Sequence, residues 1–315
     1  MNLLTVWIFL MPLTVRFLGT SAALPTSKRG LPGVALKYDG VIVLFDCGEG
    51  SQLALMQAGW KLSHLRVICI SHLHADHVGG LLGILTTREL QGIVHPLTIL
   101  GPVGIKGFVE NMLHFTYGHL NYPLEIRELA GDGGVGFQEG DFQVEWAPLE
   151  HRVPTLGYIF VENHKTGAFN VERAQRLGIP EGPQYGELKA GKDVTLPDGR
   201  VVEAKTMVGP PIEGRRVAVI LDTRPCPNAY RLADHANLLI LDGTFAEEHR
   251  EEADASDHCT ATQAAKIALK SSAKKLILTH ISARYQEPEI LLQEAKEIFP
   301  NTEVAYDGME EHVER

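Results

Sequence analysis

Apolar residues fall in short runs along this chain, and several of the runs end on a histidine or an aspartate. Val67-Ile68-Cys69-Ile70 leads into Ser71-His72, and Val144-Glu145-Trp146-Ala147-Pro148-Leu149 into Glu150-His151. Val217-Ala218-Val219-Ile220-Leu221 leads into Asp222, and Leu276-Ile277-Leu278-Thr279 into His280. Runs of this length, rich in β-branched residues, predict buried strands. Gly79-Gly80 followed by Leu81, Leu82, Ile84 and Leu85 predicts a helix start, and Thr260 ahead of Ala261-Thr262-Gln263-Ala264-Ala265 reads as a helix cap. Strand and helix signals alternate, so the pattern predicts a single α/β domain spanning residues 1–315. Polar residues at strand ends sit where a rigid sheet gives way to backbone free to curl around a ligand.

The densest cluster is Ser71-His72-Leu73-His74-Ala75-Asp76-His77-Val78-Gly79-Gly80. His72 and His74, two apart, project to one side of an extended segment and can share an ion. Asp76 and His77 follow closely enough to hold a second ion, and paired ions of this kind lie about 3.5–4 Å apart. Imidazole and carboxylate donors without thiolates suit Zn2+, with Mn2+ or Fe2+ as the other candidates. His151, Asp222 and His280, each closing an apolar run, extend the set to two nearly filled metal shells. Asp222 suits a bridge because a carboxylate has two oxygens.

His-x-His-x-Asp-His, followed by a lone His, a lone Asp and a final His, resembles the metallo-β-lactamase superfamily. The flanking stretches resemble the tRNase Z family within it: Phe17-Leu18-Gly19-Thr20-Ser21, Phe45-Asp46-Cys47-Gly48-Glu49-Gly50, Glu150 to Tyr158, Asp222-Thr223-Arg224 and Thr279 to Tyr285. The resemblance runs from about Pro12 to near the C-terminus. It implies a four-layer αβ/βα sandwich with a protruding arm insertion. It also implies two Zn2+ per subunit, with His72, His74 and His151 on one, Asp76, His77 and His280 on the other, and Asp222 between them. Asp46 would orient a ligand from behind, Asp76 would act as general base, and the chain would form a homodimer.

The activity so implied is a zinc-dependent endoribonuclease that removes the 3′ trailer from precursor tRNA. A water shared by two divalent cations loses its proton near neutral pH, and the resulting hydroxide attacks phosphorus in line. The products would be a 3′-hydroxyl on the tRNA and a 5′-phosphate on the trailer. His258 would protonate the departing oxygen, oriented by Asp242, although Leu241-Asp242-Gly243-Thr244 departs from the family's His-Glu-Ala-Thr by a shorter carboxylate. The alternative on the same fold is a metal-dependent hydrolase of small phosphodiesters or other esters.

Between the strand ending near Glu162 and that starting near Arg216, residues 163–213 read as an insertion punctuated by Pro and Gly, with few large apolar residues. It resembles the arm with which the family grips tRNA, making Arg173, Arg176, Gly182, Pro183 and Lys189 candidate substrate contacts, with Lys28 and Arg29 as further candidates outside it. Its own charge is balanced, seven Lys/Arg facing six Asp/Glu between Lys165 and Lys205.

Overall charge complicates an RNA substrate. Lys+Arg 29 against Asp+Glu 39 leave a formal net charge of −10, so any attraction for a polyanion has to be local, at residues such as Lys28, Arg29, Arg152, Arg224 and Arg284. The four cysteines, Cys47, Cys69, Cys226 and Cys259, have no paired spacing, which favours a reduced, cytoplasmic setting. The apolar start, Met1 to Leu10, lacks a basic leader and a small-residue cleavage site and is too short to cross a membrane. Residues 1–10 are therefore expected to be a non-native extension, with Met11 the true start and no membrane partner.

Overall fold

The computed structural model describes residues 11–315; the expectation for residues 1–10 lies outside them. The described chain divides into two compact units, one formed by residues 11–161 with 215–315, the other by residues 162–214.

The larger unit is built on two seven-stranded sheets. Its strands are β1 (Leu13–Gly19), β2 (Gly33–Tyr38), β3 (Val41–Phe45), β4 (Leu65–Cys69), β5 (Leu97–Pro102), β6 (Leu124–Leu129) and β7 (Gly134–Glu139). They continue as β8 (Phe142–Leu149), β9 (Thr155–Glu162), β10 (Arg216–Ile220), β11 (Leu238–Asp242), β12 (Leu276–Thr279), β13 (Thr302–Val304) and β14 (Glu310–His312). One sheet runs β14-β1-β2-β3-β4-β5-β6 and the other β13-β12-β11-β10-β9-β8-β7. From β3 to β6 and from β10 to β13 the pairing is parallel.

Alternation along each strand separates three cores. Val15, Phe17, Val43, Phe45 and Val67 from the first sheet meet Val144, Trp146, Tyr158, Phe160, Val219 and Ile240 from the second, so the sheets pack face to face. Ile42, Leu44 and Ile68 point the other way, toward Leu55, Leu81, Ile84, Leu85 and Val109 of the helices Ser51–Gln57, Leu81–Leu90 and Ile105–Phe115. Ile220, Leu239 and Leu278 likewise meet Leu232, Ala264, Ala265 and Leu291 of the helices Pro227–Ala233, Ala261–Lys270 and Glu289–Lys296. Burial on both faces explains why these strands read as continuous apolar runs. The result is the four-layer αβ/βα sandwich.

Thr260 caps its helix as expected, accepting from Gln263 N while the Gln263 side chain returns to Thr260 N. Close approach also fixes two glycines: a Cβ on Gly48 would sit 2.5 Å from the Asp76 carbonyl, and one on Gly80 would sit 2.3 Å from the Gly48 carbonyl. The metal loop thus lies directly on the turn after β3.

The smaller unit has a core of its own, made by Ala174, Ile179, Tyr185, Leu188, Val194, Leu196, Val202, Ala204 and Met207. Its helices are Val171–Arg176 and Pro183–Lys189, with a short hairpin pairing Val194–Thr195 to Val201–Val202. The sequence reading of few apolar residues understated this, because medium-sized side chains scattered over the insertion converge only after folding. Among the described residues no helix is long and apolar enough to cross a membrane.

Buried Arg88 shows what holds the helix Leu81–Leu90 down. Its guanidinium donates to the Leu62, Leu65 and His95 carbonyls and lies 4.8 Å from the Tyr122 ring. Arg88→Met removes the donors and leaves buried carbonyls unpaired, at about 1–3 kcal/mol for each. A stability loss of about 3 kcal/mol or more is expected in urea unfolding, and an unchanged midpoint would contradict this role.

Candidate metal centre

The expected ligands, and Asp46 behind them, stand just beyond strand ends at one edge of the sandwich. Asp46 follows β3, the run from His72 to His77 follows β4, His151 follows β8, Asp222 follows β10 and His280 follows β12. Three of these positions turn sharply: Asp46, Asp222 and His280 have φ of 54°, 52° and 55°, a left-handed conformation unusual outside glycine. Each costs roughly 1–3 kcal/mol, and such strain persists where the surrounding structure over-determines it, often at functional sites.

Three donor groups result: the two expected ones, His72, His74, His151 with Asp222, and Asp76, His77 with His280, and a third of Asp222, His258 and His280; within each group the ligand atoms lie within 4.8 Å of one another. Asp222 joins them. Its Oδ2 is 3.6 Å from His72 Nε2 and 3.4 Å from His77 Nε2, and its Oδ1 is 3.1 Å from His280 Nε2. Asp76 Oδ2 lies 3.3 Å from His77 Nε2 and 3.7 Å from His280 Nε2.

The opposite ring nitrogens decide which lone pairs are free. His77 Nδ1 donates to Asp46 Oδ2 at 2.7 Å and His151 Nδ1 donates to the Asp257 carbonyl at 3.2 Å. Ser71 Oγ donates to Asp46 Oδ2, so it accepts from His72 Nδ1 at 2.9 Å. His280 Nδ1 is 3.1 Å from Thr244 Oγ1. Each of these four rings therefore turns Nε2 inward. Among the described residues, His77 Nε2, His151 Nε2, His280 Nε2 and Asp222 Oδ1 are buried with no hydrogen-bond partner, and His72 Nε2 faces His74 Nδ1 at 2.8 Å. Converging, unpaired lone pairs on imidazoles and carboxylates fit divalent cations, and supporting bonds on the far nitrogens are what such ligands carry.

Protonation follows the same crowding. Burial, with the adjacent His77, His74 and His151 rings, pushes the His72 pKa down to about 2 against the pull of Asp222. Burial also lowers His151. For Asp76 and Asp222 burial acts upward but is overcome by His280 and His77, so both carboxyls lie below their ordinary range. His77 is raised despite burial by Asp222 and Asp46, a proton there offsetting the carboxylate charge that a cation would offset.

The centre opens into a cavity of about 310 Å3 whose lining includes Asp76, His151, Arg152, Asp222, His258 and His280. Asp242 reaches His258 directly: its Oδ2 accepts from Nδ1 at 3.1 Å and from the Cys259 N–H at 3.3 Å. Burial lowers the His258 pKa, but Asp242 and Asp222 outweigh it and the net shift is upward. The shorter carboxylate thus reaches His258 because Asp242 is the last residue of β11, beside the loop that carries His258.

The expected substrate contacts divide between the two units. Arg29 is a correction: its guanidinium is buried, donating to Thr20 Oγ1 at 2.6 Å and to the Ala305 carbonyl at 2.7 Å. Lys28 is exposed and paired with Glu287. Arg173, Arg176, Gly182, Pro183 and Lys189 are exposed in the smaller unit, and Lys189 Nζ stands 5.4 Å from the Phe169 ring centroid. Sequence reading missed Ser71, Thr244 and the Asp257 carbonyl behind the ligands, and the Ala23 N–H, which donates to Asp76 Oδ2 at 3.0 Å. Ser71 and Thr244 flank motif residues; the backbone groups leave no mark in a sequence.

A sandwich with His and Asp donors gathered at one edge defines a metal-binding protein of the metallo-β-lactamase fold. A family described as Anti-Pycsar protein Apyc1 matches residues 13–106. Over 304 residues the chain is 44% identical to ribonuclease Z of Bacillus licheniformis, covering 95% of this chain and 98% of the relative. It is 40% identical to ribonuclease BN of Proteus mirabilis, covering 92% and 97%. Human tRNase Z, short form, superposes with a TM-score of 0.70 at 28% identity, covering 96% of this chain and all (100%) of that one. The chain belongs to the ribonuclease Z family, and so to the metal-dependent endoribonucleases built on this fold.

Asp46 holds both His77 and Ser71, so Asp46→Asn is expected to weaken metal retention about 10–100-fold in competition with a chelator. Far-UV circular dichroism should be unaltered. Undiminished retention would show that Asp46 does not support the ligands.

Proposed function

We propose that this protein removes the 3′ trailer from precursor tRNA, using two zinc ions held by His72, His74 and His151 and by Asp76, His77 and His280, with Asp222 shared. The observation that carries the proposal is the set of buried, unpaired donor atoms opening on a cavity in a chain with full-length ribonuclease Z relatives. Divalent cations there would acidify a water and offset charge on a phosphodiester.

The chain's own groups supply the proton transfers. Asp76, fixed by the Ala23 N–H, takes a proton from the attacking water as the new P–O bond forms. His258 has Nδ1 engaged by Asp242, which leaves Nε2 to protonate the 3′ oxygen as the old P–O bond breaks. The tRNA then ends in a 3′-hydroxyl and the trailer begins with a 5′-phosphate. Residues 163–213 act as the tRNA-gripping arm, with Arg173, Arg176, Gly182, Pro183 and Lys189 among its contacts, and the working form is a homodimer. Four free, buried cysteines accord with a reducing, cytoplasmic setting. Hydrolysis of small phosphodiesters is the second reading.

Incubation with a precursor tRNA followed by end-group analysis tests the proposal. Cleavage at the trailer junction with the stated ends, abolished by a chelator and restored by zinc, is expected; intact RNA would refute it. His258→Ala should lower kcat about 10²–10⁴-fold with KM little altered, whereas unchanged turnover would remove His258 from the reaction. Deleting residues 165–210 should raise KM for precursor tRNA while sparing a nitrophenyl phosphodiester, and equal loss of both would dismiss the arm.

A further inference from the structure

The cationic side chains that the sequence offers as local attractions for RNA meet different fates. Arg29 is turned inward, Lys28 is paired with Glu287, and Arg224 is paired with Asp257. Arg284 is paired with Glu252 and lies 5.0 Å from the Phe245 ring. Arg152 differs from all of them. It is exposed, and among the described residues its guanidinium has no hydrogen bond, ion pair or ring contact. It is also the one Lys or Arg among the residues that line the cavity over the metal centre.

Its position is fixed from below. The Glu150 N–H donates to Thr223 Oγ1 at 3.2 Å, and the Glu150 carbonyl accepts from Arg224 N at 3.1 Å. At the far end of the loop Thr155 Oγ1 donates to the Val153 carbonyl at 3.0 Å, and Leu156 N donates to the Ser71 carbonyl at 2.9 Å. A pinned loop thus presents a free guanidinium directly after the ligand His151. His258 lines the same cavity, its ring centroid 5.2 Å from that of His151, the residue next to Arg152 in the chain.

Guanidinium is suited to an exposed phosphate because its planar fork matches two non-bridging oxygens. With a formal net charge of −10, any attraction for RNA at this edge has to be local. Resting on the nuclease reading above, we propose that Arg152 grips the phosphate immediately 5′ of the scissile one, on the tRNA side of the cut. The side follows from His258. The oxygen it protonates is the 3′ oxygen of the last tRNA nucleotide, and that nucleotide's own 5′ phosphate is the next anion along the strand on the same wall.

Cleavage kinetics of wild type, Arg152→Ala and Arg152→Lys test this on precursor tRNA over a range of salt. A second substrate is a precursor whose phosphate 5′ of the scissile one is a neutral methylphosphonate. Arg152→Ala should raise KM about tenfold with a smaller change in kcat, as loss of a charge-assisted contact does. It should also reduce the slope of log(kcat/KM) against log salt by about 0.7–0.9, one phosphate contact. Arg152→Lys should recover the salt slope and part of KM. The methylphosphonate should cost wild type about the same tenfold and cost Arg152→Ala nothing further. If wild type cuts the precursor but Arg152→Ala keeps its KM and salt slope, or suffers the same methylphosphonate penalty as wild type, the assignment of Arg152 is overturned. If wild type does not cut it, the nuclease reading falls and this assignment with it.

Discussion

Asp222, buried at the end of β10, has three imidazole nitrogens within 3.6 Å of its carboxylate oxygens, and the rest of the site is arranged around that convergence. Imidazoles so close cannot all be charged, and carboxylates so buried cannot stay charged unaided. Divalent cations resolve both demands, since they want the neutral imidazole lone pair and offset the carboxylate. Left-handed backbone at Asp46, Asp222 and His280 shows that the chain accepts local strain to reach this arrangement.

The fold supplies what the centre needs through ordinary packing. The packed strands bring their ends to one edge, most of them from the parallel parts of the two sheets, and the donors stand just past those ends. Behind the donors lie Ser71, Asp46, Thr244 and the Asp257 carbonyl, each engaging the far nitrogen of a ring. This backing makes the edge a prepared cation site rather than a histidine-rich turn.

Much of this was legible in the sequence because strand burial and metal ligation each leave a local pattern. Apolar runs ending on His72, His151, Asp222 and His280 marked both the strands and the donors. Arg29 was misplaced because a cation near a motif reads the same whether it faces solvent or, as here, the Thr20 hydroxyl and the Ala305 carbonyl. The core of residues 162–214 was missed because Ala174, Leu188, Val202 and Met207 share no period and meet only in three dimensions. Asp242 was in doubt on length alone; the structure places its Oδ2 within 3.1 Å of His258 Nδ1. The Ala23 N–H on Asp76 could not be foreseen, since every residue but proline has one.

Metal content of the folded chain bears most directly on this account. Inductively coupled plasma mass spectrometry on protein purified without chelator, paired with thermal unfolding before and after metal removal, should give two divalent ions per chain. Their loss should lower Tm, because ligands bound by the folded state stabilise it. Protein that retains no divalent ion when refolded in excess zinc, and unfolds at the same temperature with or without it, would contradict the account.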